Sequence, residues 1–307
     1  MTTLYIVVPC YNEEEMLPIT APRLADKLTG LMERNIISPE SRVLFVDDGS
    51  KDRTWSLIQE LHEADERFCG AKLSRNRGHQ NALLAGLMTA QTRCDCAISM
   101  DADLQDDIDA VDEMLEKFHS GCDVVYGVRS ARDTDTAFKK GTAQGFYKLI
   151  NMMGGELVYD HADYRLLSKR ALEALSQYRE ANLFLRGIIP MMGYKSAIVT
   201  YERGERVAGE SKYPLKKMLA FAWEGITSLT ARPISMIMWA GALIAAVSFV
   251  LLVAFLIADV SGLAIISAIG FFGGLNLFAT GVIGQYVGKT YIESKHRPRF
   301  FIEQIVE

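Results

Sequence analysis

Residues Cys96–Gln105 read Cys-Ala-Ile-Ser-Met-Asp-Ala-Asp-Leu-Gln, an apolar run that stops on two carboxylates, Asp101 and Asp103. A short apolar run of this kind predicts a strand buried on both faces of a sheet. Carboxylates two apart at a strand end can both face a crevice once the backbone turns. Such a pair suits a hard divalent cation that takes oxygen ligands and bridges phosphates. The side-chain carbonyl of Gln105 could complete the protein's share.

The flanking chain repeats the pattern. Leu4–Pro9 (LYIVVP), Val43–Val46 (VLFV), Ala71–Leu73 and Asp123–Gly127 read as strands, while Met16–Arg34, Thr54–Ala64, Gln80–Ala90 and Ile108–His119 carry helical patterns. This alternation predicts an α/β domain with a mostly parallel sheet and helices on its faces. Ligands of such sheets sit beyond the carboxyl ends of the strands. That rule gathers three loops at one rim: Cys10–Glu14, Asp47–Asp52 and Asp101–Asp106. In the second, Asp47 could accept hydrogen bonds from a base or ribose, and Gly49 permits a tight turn. Ser50 or Asp52 could equally cap the helix at Thr54. In the first, Tyr11 offers a stacking surface and Glu13 a carboxylate. The chain has no G-x-G-x-x-G and no G-x-x-x-x-G-K-[ST], which leaves a dinucleotide fold and a P-loop nucleotidase unsupported.

Charge is distributed unevenly. The chain carries a net charge of −5, which gives no hint of a nucleic-acid partner, and almost all its charge lies before Arg232. Ile234–Ala258 is uncharged, Asp259–Gly262 make a polar break, and Leu263–Val287 form a second apolar run. Each run is roughly 25 residues, enough to cross a bilayer as a helix. Arg232 precedes them and Lys289, Lys295, Arg297 and Arg299 follow, while the break holds no Lys or Arg. The positive-inside rule therefore predicts a two-helix transmembrane hairpin (233–288, helices 234–258 and 263–287) with both ends cytoplasmic, in the plasma membrane. It is preceded by a catalytic domain over 1–213 and a juxtamembrane amphipathic helix over 214–232, and followed by a tail over 289–307. Phe138–Met153 also reads as a basic amphipathic, interfacial helix. Glycines in the second run permit close packing within the hairpin or between copies in a homo-oligomer. The five cysteines form no Cys-x-x-Cys pair and read as reduced, buried thiols. The chain opens directly in a strand pattern, so no cleavable signal peptide is expected.

The stretches VVPCYNEEEML, VLFVDDGSKDRT, LSRNRGHQNALLAGL and ISMDADLQDD, in this order and spacing, resemble glycosyltransferase family 2 with its GT-A fold. The resemblance implies nucleotide contacts at Pro9, Tyr11, Glu13, Asp47 and Asp101, and a Mg²⁺ or Mn²⁺ site at Asp101, Asp103 and Gln105. It extends through YGVRSARD, ADYRLLSKRALEAL, NLFLRGIIPMMGY and YERGERVAGESKYPLKKML, which look like the polyprenyl-phosphate branch, the bactoprenol glucosyltransferases most of all. One departure is plain: Asp106 and Asp107 stand where much of the family has prolines. That should leave metal binding intact while altering the next loop.

The branch implies inverting transfer of a sugar, UDP-glucose being the expected donor, onto polyprenyl phosphate. UDP-N-acetylglucosamine, a modified UDP-pentose and GDP-mannose remain open as donors. A lipid-linked product made at the cytoplasmic face would need a flippase. A phosphate acceptor has its second pKa near about 6, so it needs no general base. Asp163 could orient acceptor or sugar, brace Arg165, or cap a helix near Leu167. Asp103, Asp163 and Arg165 are the candidate catalytic set. Cations must hold the acceptor dianion, and Arg129, Arg132, Arg165, Arg203 and Lys212 are the candidates, with Ser211 beside Lys212 in a Gly- and Ser-bearing loop. His79 could touch donor phosphate or sugar, but a lone loop histidine is more often structural. A polysaccharide synthase would carry Gln-x-x-Arg-Trp and more spans, which this chain lacks. A silent nucleotide-binding scaffold is opposed by the intact Asp101, Asp103 and Gln105 set.

Overall fold

A computed structural model of the chain describes residues 1–129, 161–181, 183–202, 237 and 262–307. Eight strands form one sheet: β1 (Leu4–Cys10), β2 (Arg42–Asp47), β3 (Phe68–Leu73), β4 (Cys96–Ser99), β5 (Val124–Arg129), β6 (His161–Ser168), β7 (Ser196–Tyr201) and β8 (Ile302–Val306). Their order is β7-β5-β6-β4-β1-β2-β3-β8. The block β3-β2-β1-β4 is parallel, as is β5 with β7. β6 runs antiparallel to both β4 and β5, and β8 runs antiparallel to β3. The expected GT-A-like α/β arrangement is present, with antiparallel pairing at β6 and β8 among the described residues.

Alternation along β1 explains the layers. Leu4, Ile6 and Val8 enter one core with Leu24 and Leu28 of α1 (Leu17–Glu33), Ile58 of α2 (Thr54–Ala64) and Met114 of α4 (Ala110–His119). Tyr5 and Val7 enter the other, with Leu83 and Leu87 of α3 (His79–Ala90), Leu172 of α5 (Lys169–Gln177) and Ile188 of α6 (Leu185–Met191). A strand covered on both faces must be apolar throughout, and all seven residues of β1 are buried. Gly86 on α3 lets that helix lie flat on the sheet. A Cβ there would sit 2.4 Å from Val7 Cγ1 and 2.6 Å from Val46 Cγ2.

The second apolar run lies within a single helix, α7 (Gly262–Ser294). The first run, 234–258, the helices expected over 138–153 and 214–232, and the break before α7 fall outside the described residues, Ile237 and Gly262 apart. Among the described residues no helix is long and apolar enough to cross a membrane, so the expected hairpin is not shown. The end of the chain differs from a free tail. β8 pairs with β3, Trp55 Nε1 donates to Gln304 Oε1 at 2.9 Å, and Arg93 Nη2 lies 2.6 Å from Glu307 Oε1. The last residues thus complete the sheet that carries the site.

Candidate active site

The carboxyl ends of β1, β2 and β4 converge, because β1 lies between the other two: Cys10 is in register with Asp47, and Val7 with Ser99. The first two loops are laced together. Asp48 N donates to Cys10 O at 2.9 Å, Asn12 N to Ser50 Oγ at 2.9 Å, and Lys51 N to Asn12 Oδ1 at 2.9 Å. Asp52 precedes the N-cap of α2, Arg53, and accepts from Thr54 N at 3.0 Å and from Glu14 N at 3.2 Å. Asp47 is left facing the crevice. It is fully buried, its Oδ1 accepts from Ser50 N at 3.0 Å, and its Oδ2 has no hydrogen-bond partner. A buried acceptor left unmade is costly, so the Asp47 Oδ2 oxygen is a candidate acceptor for a ligand donor. Pro9 is buried in β1, Tyr11 is exposed, and the Glu13 N–H donates to Thr54 Oγ1 at 2.8 Å.

Asp48 builds the next wall. Its carboxylate accepts from Arg77 N at 2.6 Å and Gly78 N at 2.8 Å. Gly49, at φ +67°, lets residues 75–76 come close: a Cβ there would lie 2.6 Å from Arg75 C and Asn76 N. Residues 75–78 so held place His79 at the site, its Nε2 3.6 Å from Asp101 Oδ1 and 3.7 Å from Asp163 Oδ2. Sequence reasoning set His79 aside; the Asp48–Gly49 pair that aims it was the available signal.

After β4 the chain turns through Leu104, at φ +53°. Thr20 Oγ1 donates to Ala102 O at 2.7 Å, and Gln105 N to Asp103 Oδ1 at 3.2 Å. Burial pushes the Asp101 carboxyl up to about 6; His79 opposes this, and the carboxylates of Asp106, Asp163 and Asp103 add to it.

Asp163 lies on β6, whose register with β4 puts Arg165 opposite Ser99, and Ser99 Oγ donates to Asp163 O. It caps no helix: β6 continues to Ser168, and Ser168 Oγ caps α5 through Ala171 N at 3.1 Å. Asp163 instead braces two arginines. The buried Arg165 guanidinium pairs with Oδ1, and Arg186 of α6 donates to both oxygens, at 3.2 and 3.0 Å. Burial alone would raise this carboxyl, but Arg186 and Arg165 together hold it well below the usual carboxylate range. Arg186 was not singled out from the sequence, although it stands in the NLFLRGIIPMMGY stretch.

Arg129, an expected phosphate ligand, is partly engaged elsewhere. Its Nη2 lies 3.3 Å from Asp106 Oδ1 and its Nε donates to Tyr201 Oη at 3.3 Å. Arg132, Arg203, Ser211 and Lys212 lie outside the described residues.

Residues 5–176 match the family described as Glycosyl transferase family 2. The chain belongs to that family. It is 50% identical over 306 residues to the uncharacterized glycosyltransferase YkoT of Bacillus subtilis (strain 168), covering 98% of this chain and 91% of that one. It is 37% identical over 309 residues to the prophage bactoprenol glucosyl transferase homolog of Escherichia coli (strain K12), covering 98% of each. It is 38% identical over 308 residues to the bactoprenol glucosyl transferase of Shigella phage SfV, covering 97% of each.

Among the described residues no group of three or more His, Cys, Asp or Glu side chains could hold a metal by itself. Asp101 and Asp103 still fit a hard cation such as Mg²⁺, which is commonly bound by one or two carboxylates with the remaining ligands from phosphates and water. Asp106, Asp163 and Asp103 add to the burial that raises Asp101, and their negative charge is what such a cation would relieve.

Proposed function

We propose that this family 2 glycosyltransferase moves glucose from UDP-glucose to polyprenyl phosphate, with inversion, at the cytoplasmic face of the plasma membrane. The observation that carries the reading is identity of 37–38% to bactoprenol glucosyl transferases along nearly the whole chain, apolar runs included. The site agrees with a nucleotide-sugar donor. The unpartnered Asp47 oxygen suits an N–H or O–H of base or ribose, and Tyr11 suits the base face.

A phosphate oxygen of the acceptor attacks the anomeric carbon, the bond from that carbon to the diphosphate breaks, and UDP departs with the bonding pair. An acceptor that is already a dianion has no proton to lose. This agrees with the state of Asp163: a carboxylate held so acidic by Arg165 and Arg186 is a poor base at neutral pH. Asp163 is then a positioning residue that fixes two cations at the reacting end of the cleft. Bound at Asp101, Asp103 and Gln105, Mg²⁺ or Mn²⁺ would neutralise charge on the departing diphosphate. Arg203, Ser211 and Lys212 are assigned to the acceptor phosphate, and Arg132 is a further candidate for it.

The membrane siting is supported by the two apolar runs and their Lys and Arg flanks. It is also supported by the pairing of β8 with β3: the chain leaves the catalytic sheet at β7 and returns to it at β8, so any membrane passage between them crosses an even number of times.

The test is to incubate purified protein with undecaprenyl phosphate, Mg²⁺ or Mn²⁺, and UDP-glucose, UDP-N-acetylglucosamine, a UDP-pentose or GDP-mannose in turn. Mass spectrometry of the lipid fraction should show a hexosyl lipid from UDP-glucose. A product from another donor alone would overturn the sugar, and no lipid-linked sugar from any donor would overturn the reaction.

A further inference from the structure

The turn that carries Asp101 and Asp103 is anchored from three directions. From α1, Thr20 Oγ1 donates to Ala102 O at 2.7 Å and Lys27 Nζ to Asp109 Oδ1 at 2.7 Å. From β6, Tyr164 Oη donates to Asp107 O at 2.9 Å. The third anchor is Asp106 itself, only 3% exposed. Its Oδ1 accepts from Tyr201 Oη and faces Arg129 Nη2 at 3.3 Å, while Arg129 Nε donates to the same Tyr201 oxygen at 3.3 Å. The Tyr201 ring meets Tyr164 edge-on, with centroids 5.2 Å apart and planes at 84°.

This third anchor differs from the others in where it leads. It joins the donor turn to Tyr201, the last residue of β7, on a strand far from it in sequence. We infer that Asp106, Tyr201 and Arg129 form a clamp that locks the Asp101–Asp103 turn to the exit of β7. They are positioning residues that hold the donor turn against the last residue of β7. The inference rests on the proposed function, in which Asp101 and Asp103 serve the donor.

The chemistry suits a rigid joint. A hydroxyl that donates to a buried carboxylate makes a firm contact, because the low local dielectric strengthens it. Burial and Asp106 hold the Tyr201 phenol above its ordinary pKa, so it stays protonated and donates. In-line displacement rewards such a joint, because a misplacement of about 1 Å between reactants can cost about 10²-fold in rate. Two N–H groups of Arg129 are spent on the clamp, so its first role is to hold rather than to bind the acceptor.

Tyr201→Phe is the sharpest probe, since it deletes the bridging oxygen and keeps the ring against Tyr164. The expected result is a kcat for lipid glycosylation lower by about tenfold, with UDP affinity by calorimetry unchanged. Hydrogen–deuterium exchange should speed up on both sides of the joint, in residues 102–109 and 196–202. Asp106→Asn still accepts from the hydroxyl and should lose less activity, and it serves if Tyr201→Phe fails to fold. A lowered Tm with unchanged kcat, or faster exchange at β7 alone, would reduce the three residues to an ordinary stabilising contact and overturn the clamp. If the wild-type protein glycosylates no polyprenyl phosphate, the proposed function fails, and the two-sided exchange still decides the clamp.

Discussion

Arg186 and Asp163 meet as a fork, Nε to Oδ1 at 3.2 Å and Nη2 to Oδ2 at 3.0 Å, while Arg165 takes Asp163 Oδ1 from the buried side. One carboxylate therefore serves two guanidinium groups, and Asp163→Asn would strand the buried Arg165. Breaking a buried pair from one side costs about 3–5 kcal/mol. The folded-state pKa of Asp163 lies below its unfolded value. Its stabilisation is therefore present above the unfolded pKa, about 3.9, and is lost as pH falls below it. At pH 7 Asp163→Asn should lower Tm clearly, and the gap to wild type should narrow at acid pH. Asp163→Asn/Arg165→Met should regain part of the loss. Equal melting of wild type and Asp163→Asn at pH 7 would contradict the pairing.

Asp103 stands on a turn and not in the core, so Asp103→Asn should fold normally. If a divalent cation there supplies about 4 kcal/mol of transition-state stabilisation, turnover falls roughly 10³-fold. Chelation with EDTA should silence wild type to the same floor. Activity close to wild type in either case would remove the metal from Asp101, Asp103 and Gln105.

Gly49 is predicted to be irreplaceable for a backbone reason. Its φ of +67° disfavours any side chain, and a Cβ would meet the Arg75–Asn76 backbone at 2.6 Å. Gly49→Ala should push residues 75–79 outward and move His79 away from Asp101 and Asp163. UDP-glucose turnover should drop along with a loss of about 1–3 kcal/mol in stability. Unaltered kinetics would mean that this loop does not serve the site.

The strands and helices of the first half were legible because β1, β2 and β4 are buried on both faces and α1 and α4 are amphipathic. Asp47, Asp101 and Asp103 could be placed together because parallel strands put their carboxyl ends at one rim. β6, β7 and β8 escaped notice for physical reasons. β6 carries Asp163 and Arg165, whose burial depends on partners far away in sequence, and charged residues do not read as strand. Ser196–Tyr201 has alternate residues exposed, and Ile302–Val306 is a short edge strand interrupted by Glu303 and Gln304. Arg186 was obscure because it gains its meaning only against Asp163, and His79 because its approach to Asp101 and Asp163 depends on contacts far apart in sequence.

Removal of residues 302–307 tests the returning strand. A free tail would be dispensable, whereas loss of β8 exposes the edge of β3 and frees Trp55 and Arg93 from Gln304 and Glu307. The truncated protein should melt lower and aggregate more readily, as uncovered sheet edges do. A truncation with wild-type Tm would return this segment to the status of a tail.

The central claim is that the acceptor is a lipid phosphate, and UDP release measured with and without undecaprenyl phosphate tests it most directly. With UDP-glucose and Mg²⁺ or Mn²⁺ present, the account predicts slow release alone and a large, saturable increase on adding the lipid. The glucose lost from the donor should then be recovered, mole for mole, in the lipid fraction. Release that ignores the lipid phosphate, or glucose recovered on another acceptor, would contradict it.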